Sequence, residues 1–371
     1  MENLARHILL TGSNYEVGRE IGRYCSIIPG LADTMESTDE SLSKQDEEQM
    51  FKMFDEFCPG INEEIEGFTD VLKIRTAKVL YYSMSYLRPR CSQMAVLPSK
   101  TKNGHTLFAR NYDFNDSMDS MTLVTTKING RYAHIGSSTL QFGRLDGMNE
   151  HGLAVGQTSA GFPVGNFEFT LKPAVTGLQC WAVIRSVLEN CKNVEEVIQW
   201  TKDMPIAYNI NLIAADKNGH AVLVESFHGN KAIREINAES RELYLCSTNH
   251  VHLQELKSFA PISMKNSIER YQRICDTLNG TERISPEDLK RLLSAKYPEG
   301  LCCHFYDEFF GTLRSAVYDV NEGTINLCFG SPALNDWYTF KISDEVKQSV
   351  YTYRLEREKA PEDFFAMIES C

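Results

Sequence analysis

Cys91 attracts attention because of the residues before it. It directly follows Arg88-Pro89-Arg90. Two arginines favour the thiolate, which is the nucleophilic form of cysteine, and the proline interrupts the preceding structure. Free cysteine is also among the most buried residue types. A small core residue at the start of a strand is therefore the competing interpretation.

A second group of reactive side chains lies one predicted hairpin later. An apolar run ends in Arg110-Asn111-Tyr112-Asp113. Arg110 and Asp113 are well placed to orient a nucleophile at Cys91. They could equally form a structural ion pair, because such pairs are common and contribute little.

His250 suggests a third kind of chemistry. It follows a predicted strand, in Ser247-Thr248-Asn249-His250. An imidazole there could deprotonate Cys91, as in thiol proteases. A histidine at a strand end is also often structural. Cys302-Cys303-His304 lacks a companion cluster, and three adjacent ligands cannot close around one ion, so we expect no metal.

The pattern of apolar residues predicts which elements hold these side chains. Residues 45–70 read as two helices separated by Pro59-Gly60, and Gly18 and Gly22 would let another backbone approach a helix closely. From Cys91 onward, short β-branched runs are separated by turns such as Asn103-Gly104. Runs of strands, then helices, then strands predict an α+β layered sandwich rather than alternating βαβ units.

Composition limits the class of protein. The chain of 371 residues has a net charge of −12, which argues against a nucleic-acid partner. No apolar run is long enough to span a membrane, so no membrane partner is expected. The first ten residues contain no long continuous apolar run, so no secretory signal is expected, and the 11 cysteines include no CxxC pair. We therefore expect a cytoplasmic protein with free thiols.

The motifs, taken in order, resemble those of the acyl-coenzyme A:6-aminopenicillanic acid acyltransferase family, which is related to the choloylglycine hydrolases. The similarity covers nearly the whole chain. It rests on Glu16 to Gly22, Cys91-Ser92, Arg110 to Asp113, Asp146 to Val155, Thr248-Asn249-His250, Asn266 to Arg273 and Gly330-Ser331-Pro332.

This resemblance implies an N-terminal-nucleophile hydrolase with a four-layer αββα sandwich. Such chains cut themselves before the nucleophile, whose freed α-amine then serves as the base. By this implication, cleavage falls between Arg90 and Cys91. Residues 1–90 become a helical α fragment or pro-segment and residues 91–371 the catalytic β fragment, two fragments of one precursor.

The resemblance also implies roles for individual side chains. Cys91 is the nucleophile, and Arg110 lies beside it. Asp113 positions the new amine, and Asn249 is suited to bind the oxyanion through its side-chain amide. Three substrate-binding candidates are less specific: Arg270 as a structural or substrate-charge partner, Asn211 as a second amide contact, and Ser159. The hydrolase branch has a pocket asparagine at a position that falls near Thr158 or Ser159 in this chain. The oxyanion contact of that asparagine therefore does not carry over.

The expected function is cleavage or formation of a linear amide bond of an acylated amine or amino acid. The partner is a small acylated amine or acyl donor, no cofactor is expected, and a homo-oligomer stays open. Arg90 stands where the acyltransferase has glycine, which relieves strain before the nucleophile. An uncleaved, inactive member that binds acylated ligands or a partner protein is therefore the alternative.

Overall fold

The computed structural model describes residues 3–27, 43–76, 79, 90–139, 141–161, 172–346 and 350–369. Two large sheets and the helices on their outer faces make up this part of the chain. Within the same ranges, no helix combines the length and apolar character needed to cross a membrane.

The larger sheet has nine strands. In chain order they are β1 (Asn3–Gly12), β4 (Thr122–Ile128), β5 (His134–Thr139), β6 (Gly143–Asn149), β7 (Leu153–Ser159), β8 (Ile210–Asp216), β9 (Ala221–Phe227), β10 (Asn230–Ile236) and β17 (Val350–Tyr353). Across the sheet the order is β10-β9-β8-β7-β6-β5-β4-β1-β17. Only β1 and β4 pair in parallel.

The second sheet has seven strands, all antiparallel. They are β2 (Arg90–Val96), β3 (Leu107–Phe114), β11 (Tyr244–Ser247), β13 (His304–Phe305), β14 (Phe310–Asp319), β15 (Thr324–Phe329) and β16 (Trp337–Lys341). The order is β11-β2-β3-β14-β15-β16, with β13 beside β14. A small separate sheet pairs β12 (Ile262–Met264) with β18 (Met367–Glu369).

The helices confirm several sequence predictions. They are α1 (Asn14–Ser26), α2 (Lys44–Phe57), α3 (Ile61–Leu72), α4 (Cys180–Asn190), α5 (Val194–Lys202), α6 (Gln254–Lys257), α7 (Lys265–Gly280) and α8 (Pro286–Ser294). The predicted break at Pro59-Gly60 separates α2 from α3. At α8, Ser285 and Asp288 cap the first turn reciprocally, with Pro286 in its first position.

The two sheets pack face to face. Side chains that point inward from the second sheet reach the backbone of the larger one. Arg110 of β3 donates to the carbonyl oxygen of Leu145 in β6, and Gln93 of β2 donates to that of Asn211 in β8. The residues of these strands alternate between the inner and outer faces, as the period of a strand requires.

Helices cover the outer face of each sheet. On the larger sheet, α4 lies so close that a methyl group on Gly143 would be 2.4 Å from Trp181 Cβ. On the second sheet, α7 and α8 bury one apolar cluster, which includes Met94, Val96, Leu107, Ala109, Ile274, Leu278, Leu289 and Leu292. The order of layers is α, β, β, α, which confirms the predicted fold class.

The first 90 residues are only partly helical. The close approach predicted at Gly18 is present, because a Cβ there would lie 1.8 Å from the Glu64 carbonyl oxygen of α3. The description of 1–90 as helical nevertheless omits β1, which lies between β4 and β17 in the larger sheet. Its apolar pattern is irregular, since Leu4 is 58% exposed while Ala5 is buried. This irregularity hid the strand from the sequence analysis.

Candidate active site

Cys91 lies at the N-terminal end of β2 and is fully buried. Arg110, on the neighbouring strand β3, donates from Nη2 to the Cys91 sulfur at 3.0 Å. The backbone N–H of Cys91 donates to Asn249 Oδ1 at 3.2 Å. The side chain and the backbone nitrogen of this one residue are therefore both held by polar groups.

Arg110 is itself fixed by the larger sheet. Its Nη1 donates to Asp146 Oδ2 at 2.8 Å and to the Leu145 carbonyl oxygen at 2.6 Å, and its Nη2 also donates to the Gln157 carbonyl oxygen. Arg110 and Asp146 are both buried and belong to opposite sheets. The guanidinium at the Cys91 sulfur thus has one defined orientation.

Asp113 lies opposite Arg90 in the β2–β3 register. Its Oδ1 accepts a hydrogen bond from Thr312 Oγ1 at 2.6 Å, and its Oδ2 lies 3.9 Å from Arg270 Nη1. Among the described residues, Oδ2 has no hydrogen-bond partner. Burial raises the pKa of Asp113 to about 6, although the Arg270 guanidinium opposes this.

Asn249 and Arg270 hold the backbone of Cys91. Arg270, on α7, donates from Nη1 to the Cys91 carbonyl oxygen at 2.8 Å and from Nη2 to Asn249 Oδ1 at 2.8 Å. The Asn249 side-chain nitrogen donates to Ser159 Oγ at 3.0 Å. Three of the predicted residues, Asn249, Arg270 and Ser159, are therefore connected in one buried network beside Cys91.

The Cys91 thiol is protonated at neutral pH in the continuous chain. Burial raises its pKa to about 11, and the Arg110 guanidinium opposes the shift without overcoming it. Any nucleophilic role therefore requires a group that removes the proton. Arg110 can direct and stabilise the sulfur, but a guanidinium has no free lone pair with which to act as a base.

Asn211 and His250 bind groups other than the Cys91 sulfur. The Asn211 side-chain nitrogen donates to Thr158 Oγ1 and to the carbonyl oxygens of Thr248 and His250. Within the described structure, it therefore braces the loop that carries Asn249 rather than contacting Cys91. Its Oδ1 is buried without a hydrogen-bond partner among the described residues.

His250 also braces the loop that carries Asn249. Its Nδ1 lies 2.8 Å from Ser267 Oγ and 3.2 Å from Thr248 Oγ1. Burial and the nearby Arg270 guanidinium lower its pKa to about 3. A neutral imidazole bonded to hydroxyl groups fits the structural interpretation of this histidine better than the thiol-protease one.

Sequence reasoning assigned no role to two residues that complete the site. Asp146 was quoted within a motif, but its pairing with Arg110 depends on how the two sheets are stacked. Thr312 gave no signal at all. It reaches Asp113 because the β3–β14 register shifts between Thr312 and Arg314.

A group with metal-ligand spacing lies next to the Cys302-Cys303-His304 motif. In the described part of the chain, His304, Glu356 and Glu358 bring ligand atoms within 4.8 Å of one another. The Lys296 ammonium already contacts both carboxylates, at 2.5 Å from Glu358 and 3.7 Å from Glu356. The Lys296 ammonium thus offsets one of the two negative charges of these carboxylates.

Comparison with known proteins places the chain in a family. A sequence model of the acyl-coenzyme A:6-aminopenicillanic acid acyltransferase family matches residues 99–334. Arg110, Asp113, Asn249 and Arg270 lie within this match, and Cys91 lies just before it. The comparison with curated protein sequences found no match.

Solved structures with some similarity include two variants of conjugated bile acid hydrolase from Clostridium perfringens. Each is 14% identical and covers 73% of this chain and 99% of its own, with TM-scores of 0.44 and 0.46. Penicillin V acylase from Agrobacterium tumefaciens is 16% identical over 71% of this chain and 90% of its own, with a TM-score of 0.44. The family match extends over more than half of the chain, and the chain belongs to the acyl-coenzyme A:6-aminopenicillanic acid acyltransferase family.

Proposed function

We propose that this family member is a self-processing cysteine amidohydrolase or acyltransferase, which cleaves or forms a linear amide bond of an acylated amine or amino acid. An acyl-enzyme on Cys91 is the intermediate. The observation that carries the proposal is the hydrogen bond between the Cys91 sulfur and a guanidinium fixed by a buried carboxylate. Such a donor orients a nucleophile and stabilises its anionic form.

Self-cleavage would be an acyl shift followed by hydrolysis. The Cys91 sulfur attacks the carbonyl carbon of Arg90, and the Cys91 nitrogen leaves with the proton of the thiol. A thioester thereby replaces the peptide bond. Water hydrolyses this thioester, which releases the Arg90 carboxylate and restores the thiol. Cys91 then carries a free α-amine.

The free amine would supply a base for the Cys91 thiol. An α-amine has a reference pKa of roughly 7.7–8.0, close to neutral pH. Two groups could accept a hydrogen bond from this amine. Asn249 Oδ1 already binds this nitrogen, and Asp113 Oδ2 has no other hydrogen-bond partner among the described residues. The carboxylate would also hold the ammonium that forms when the amine takes the thiol proton.

Turnover would use the same groups again. The thiolate attacks the substrate carbonyl, and the ammonium protonates the leaving amine. The Asn249 side-chain amide, which now contacts Ser159, would turn to the developing oxyanion. Water or a second amine then takes the acyl group from the sulfur. Water gives hydrolysis and a second amine gives transfer.

The two fragments would stay together after cleavage. Residues 1–90 contribute β1 to the interior of the larger sheet, between β4 and β17. Glu64 of α3 also forms a buried, two-pronged ion pair with Arg185 of α4. Release of the first fragment would expose a strand edge and leave Arg185 short of a buried partner.

An uncleaved binding protein is the second candidate, and two observations favour it. Arg90 continues β2 as an ordinary strand residue opposite Asp113, and the Cys91 pKa is raised to about 11 by burial. In that case the site would hold acylated ligands or a partner without turnover.

Intact mass and N-terminal sequencing of the purified protein separate the two functions. The proposal predicts fragments of about 10 kDa and about 32 kDa, in proportion to the 42.1 kDa chain, and a second N-terminus that begins Cys-Ser-Gln-Met. The Cys91→Ala variant is the matched control and should remain whole. A single full-length species after long incubation at neutral pH would favour the binding protein, and cleavage at another bond would refute Cys91 as the nucleophile.

A further inference from the structure

A pair of thiols lies outside the site, on the outer face of the second sheet. Cys246 is in β11 and Cys275 is in α7, and their sulfur atoms are 3.8 Å apart. Cys246 is buried, whereas Cys275 is only partly buried. The pair therefore combines one thiol that solvent can reach with a second one directly behind it.

Several hydroxyl and thiol groups surround Cys275. The hydrogen bond with Cys246 is the largest influence and lowers the pKa of Cys275, and bonds with Tyr244 and Tyr271 act in the same direction. Burial and the carboxylate of Asp276 oppose them. The other described cysteines are buried. Besides Cys246 they are eight, and burial raises the pKa of each of them: Cys25, Cys58, Cys91, Cys180, Cys191, Cys302, Cys303 and Cys328.

We propose that Cys246 and Cys275 are an oxidative modification site, at which a hydroperoxide converts the two thiols into an intramolecular disulfide. The Cys275 thiolate attacks the peroxide, so that an S–O bond forms and the O–O bond breaks. Hydroxide leaves from hydrogen peroxide, or an alkoxide from an organic hydroperoxide, and takes up the proton that the thiol has lost. Cys246 then attacks the sulfenic acid on Cys275, an S–S bond forms, and water leaves. Two thiols lose two electrons, and the hydroperoxide is reduced.

The geometry allows this bond with small movements. A disulfide has an S–S length of about 2.05 Å, so the two sulfurs must approach by about 1.8 Å. Rotation of the Cys246 and Cys275 side chains can supply part of this distance. A shift of α7 relative to β11 would supply the rest.

Such a shift would reach the candidate active site, and this step rests on the proposed function. The strand β11 leads within three residues to Asn249, and α7 carries Arg270. These two side chains meet at 2.8 Å and hold the Cys91 backbone from both sides. A displacement of one element against the other disturbs that contact, so oxidation should lower turnover several-fold.

The first test needs no knowledge of the substrate. The full chain is treated with hydrogen peroxide at neutral pH, the remaining thiols are alkylated, and disulfide-linked peptides are mapped by mass spectrometry. We expect one link between Cys246 and Cys275 that dithiothreitol reverses. It should be absent in Cys275→Ser and retained in Cys191→Ser, which removes a buried thiol elsewhere. Over-oxidation of Cys275 with Cys246 still free, or a link between other cysteines, would overturn the proposal.

The second test measures turnover of the same samples before and after dithiothreitol. The wild-type protein should lose several-fold of its turnover reversibly, and Cys275→Ser should show no reversible loss. Equal reversible losses in both would refute an effect on the site. Absence of turnover in every untreated sample would instead refute the proposed function, and would leave the mapped disulfide unaffected.

Discussion

The buried charges around Arg185 and those around Cys91 differ in how completely they are paired. Every side-chain nitrogen of Arg185 donates a hydrogen bond. Its Nε binds Glu189, its Nη1 binds Glu64 and the Phe142 carbonyl oxygen, and its Nη2 binds the second oxygen of Glu64. Burial opposes the charge on Arg185, but the two carboxylates together raise its pKa.

The group around Cys91 is less complete. Asp113 has one oxygen bound to Thr312 and the other without a hydrogen-bond partner among the described residues. Its pKa is raised by burial, so part of its charge is uncompensated. A buried acceptor with no partner costs stability, and use in a reaction is one reason for a fold to retain it. The comparison predicts that changes near Arg185 alter stability, whereas changes near Cys91 alter chemistry.

The largest expected effect is that of Cys91→Ala. Loss of the sulfur removes both the attack on Arg90 and the acyl-enzyme, so turnover should fall at least about 10⁴-fold. The substitution removes one buried atom, and the fold should persist. Turnover is measured with a panel of N-acyl amino acids, and circular dichroism checks the fold. The control, Cys191→Ala, should keep near-normal turnover, and full activity in Cys91→Ala would refute Cys91 as the nucleophile.

Asp113→Asn should lower turnover by about 10²–10⁴-fold, the usual contribution of a group that positions a base. The amide can still accept from Thr312, but it cannot balance an ammonium on Cys91. Stability at neutral pH should not fall, because the carboxylate lacks a close partner for its second oxygen and burial disfavours its charge. Turnover of the fully processed variant is the measurement. Unchanged turnover would show that Asp113 has no part in catalysis.

Glu64→Gln should show the opposite pattern. The substitution removes the charge of Glu64 from a buried ion pair and leaves Glu189 as the ionised partner of Arg185. It should cost about 3 kcal/mol of stability. Turnover per folded molecule should be unchanged. Urea unfolding is best measured in the Cys91→Ala background, where the protein remains a single chain. A large loss of turnover with no loss of stability would remove the distinction between the two groups.

The pH dependence of stability gives a finer comparison. Burial raises the pKa of Asp113 from 3.8 to about 6, so the folded protein holds this proton at pH values where the unfolded chain has lost it. The contribution to stability is full below about pH 3.8 and is lost as the pH rises through about 6, in total about 3 kcal/mol. Urea unfolding of Cys91→Ala from pH 4 to pH 7 should show this loss.

The same measurement on Cys91→Ala/Asp113→Asn supplies the reference, because that protein lacks the titrating carboxyl. The difference between the two proteins should change by about 2–3 kcal/mol between pH 4 and pH 7. A constant difference from pH 4 to pH 7 would mean that Asp113 is ionised throughout and is fully compensated in the continuous chain.

The sequence was most informative where structure is local. The hairpin from β2 to β3 was predicted from Asn103-Gly104 and two apolar runs, and Gly104 has the positive φ of 70° that such a turn requires. Since Cys91 and Arg110 lie on adjacent strands, their proximity followed from the hairpin alone. The family resemblance supplied Asn249 and Arg270, which no local pattern would have linked to Cys91.

The remaining parts depend on long-range packing. β1 pairs in parallel with β4, more than 100 positions away along the chain. Its irregular apolar pattern does not predict this pairing. The pairing of Asp146 with Arg110 is set by the stacking of two sheets, and the contact of Thr312 with Asp113 by a bulge. Asn211 was expected near the reacting atoms and instead supports the Asn249 loop.

The smallest expected effect is that of His250→Asn. This variant tests whether His250 only supports the Asn249 loop or also takes part in the reaction. His250 was the base in the thiol-protease hypothesis, but its Nδ1 faces Ser267 and Thr248, and burial lowers its pKa to about 3. Asparagine keeps a polar atom near the position of Nδ1 and so preserves the contact with the hydroxyl groups. We expect normal cleavage of the chain and turnover within about 3-fold of wild type, since no proton is transferred at this residue.

Mass analysis and turnover are measured on the same preparation, with His250→Ala beside it to expose any loss from the missing hydrogen bonds. A fall of about 100-fold or more in His250→Asn with normal processing would return the imidazole to the mechanism as a general base and would make the amine of Cys91 unnecessary.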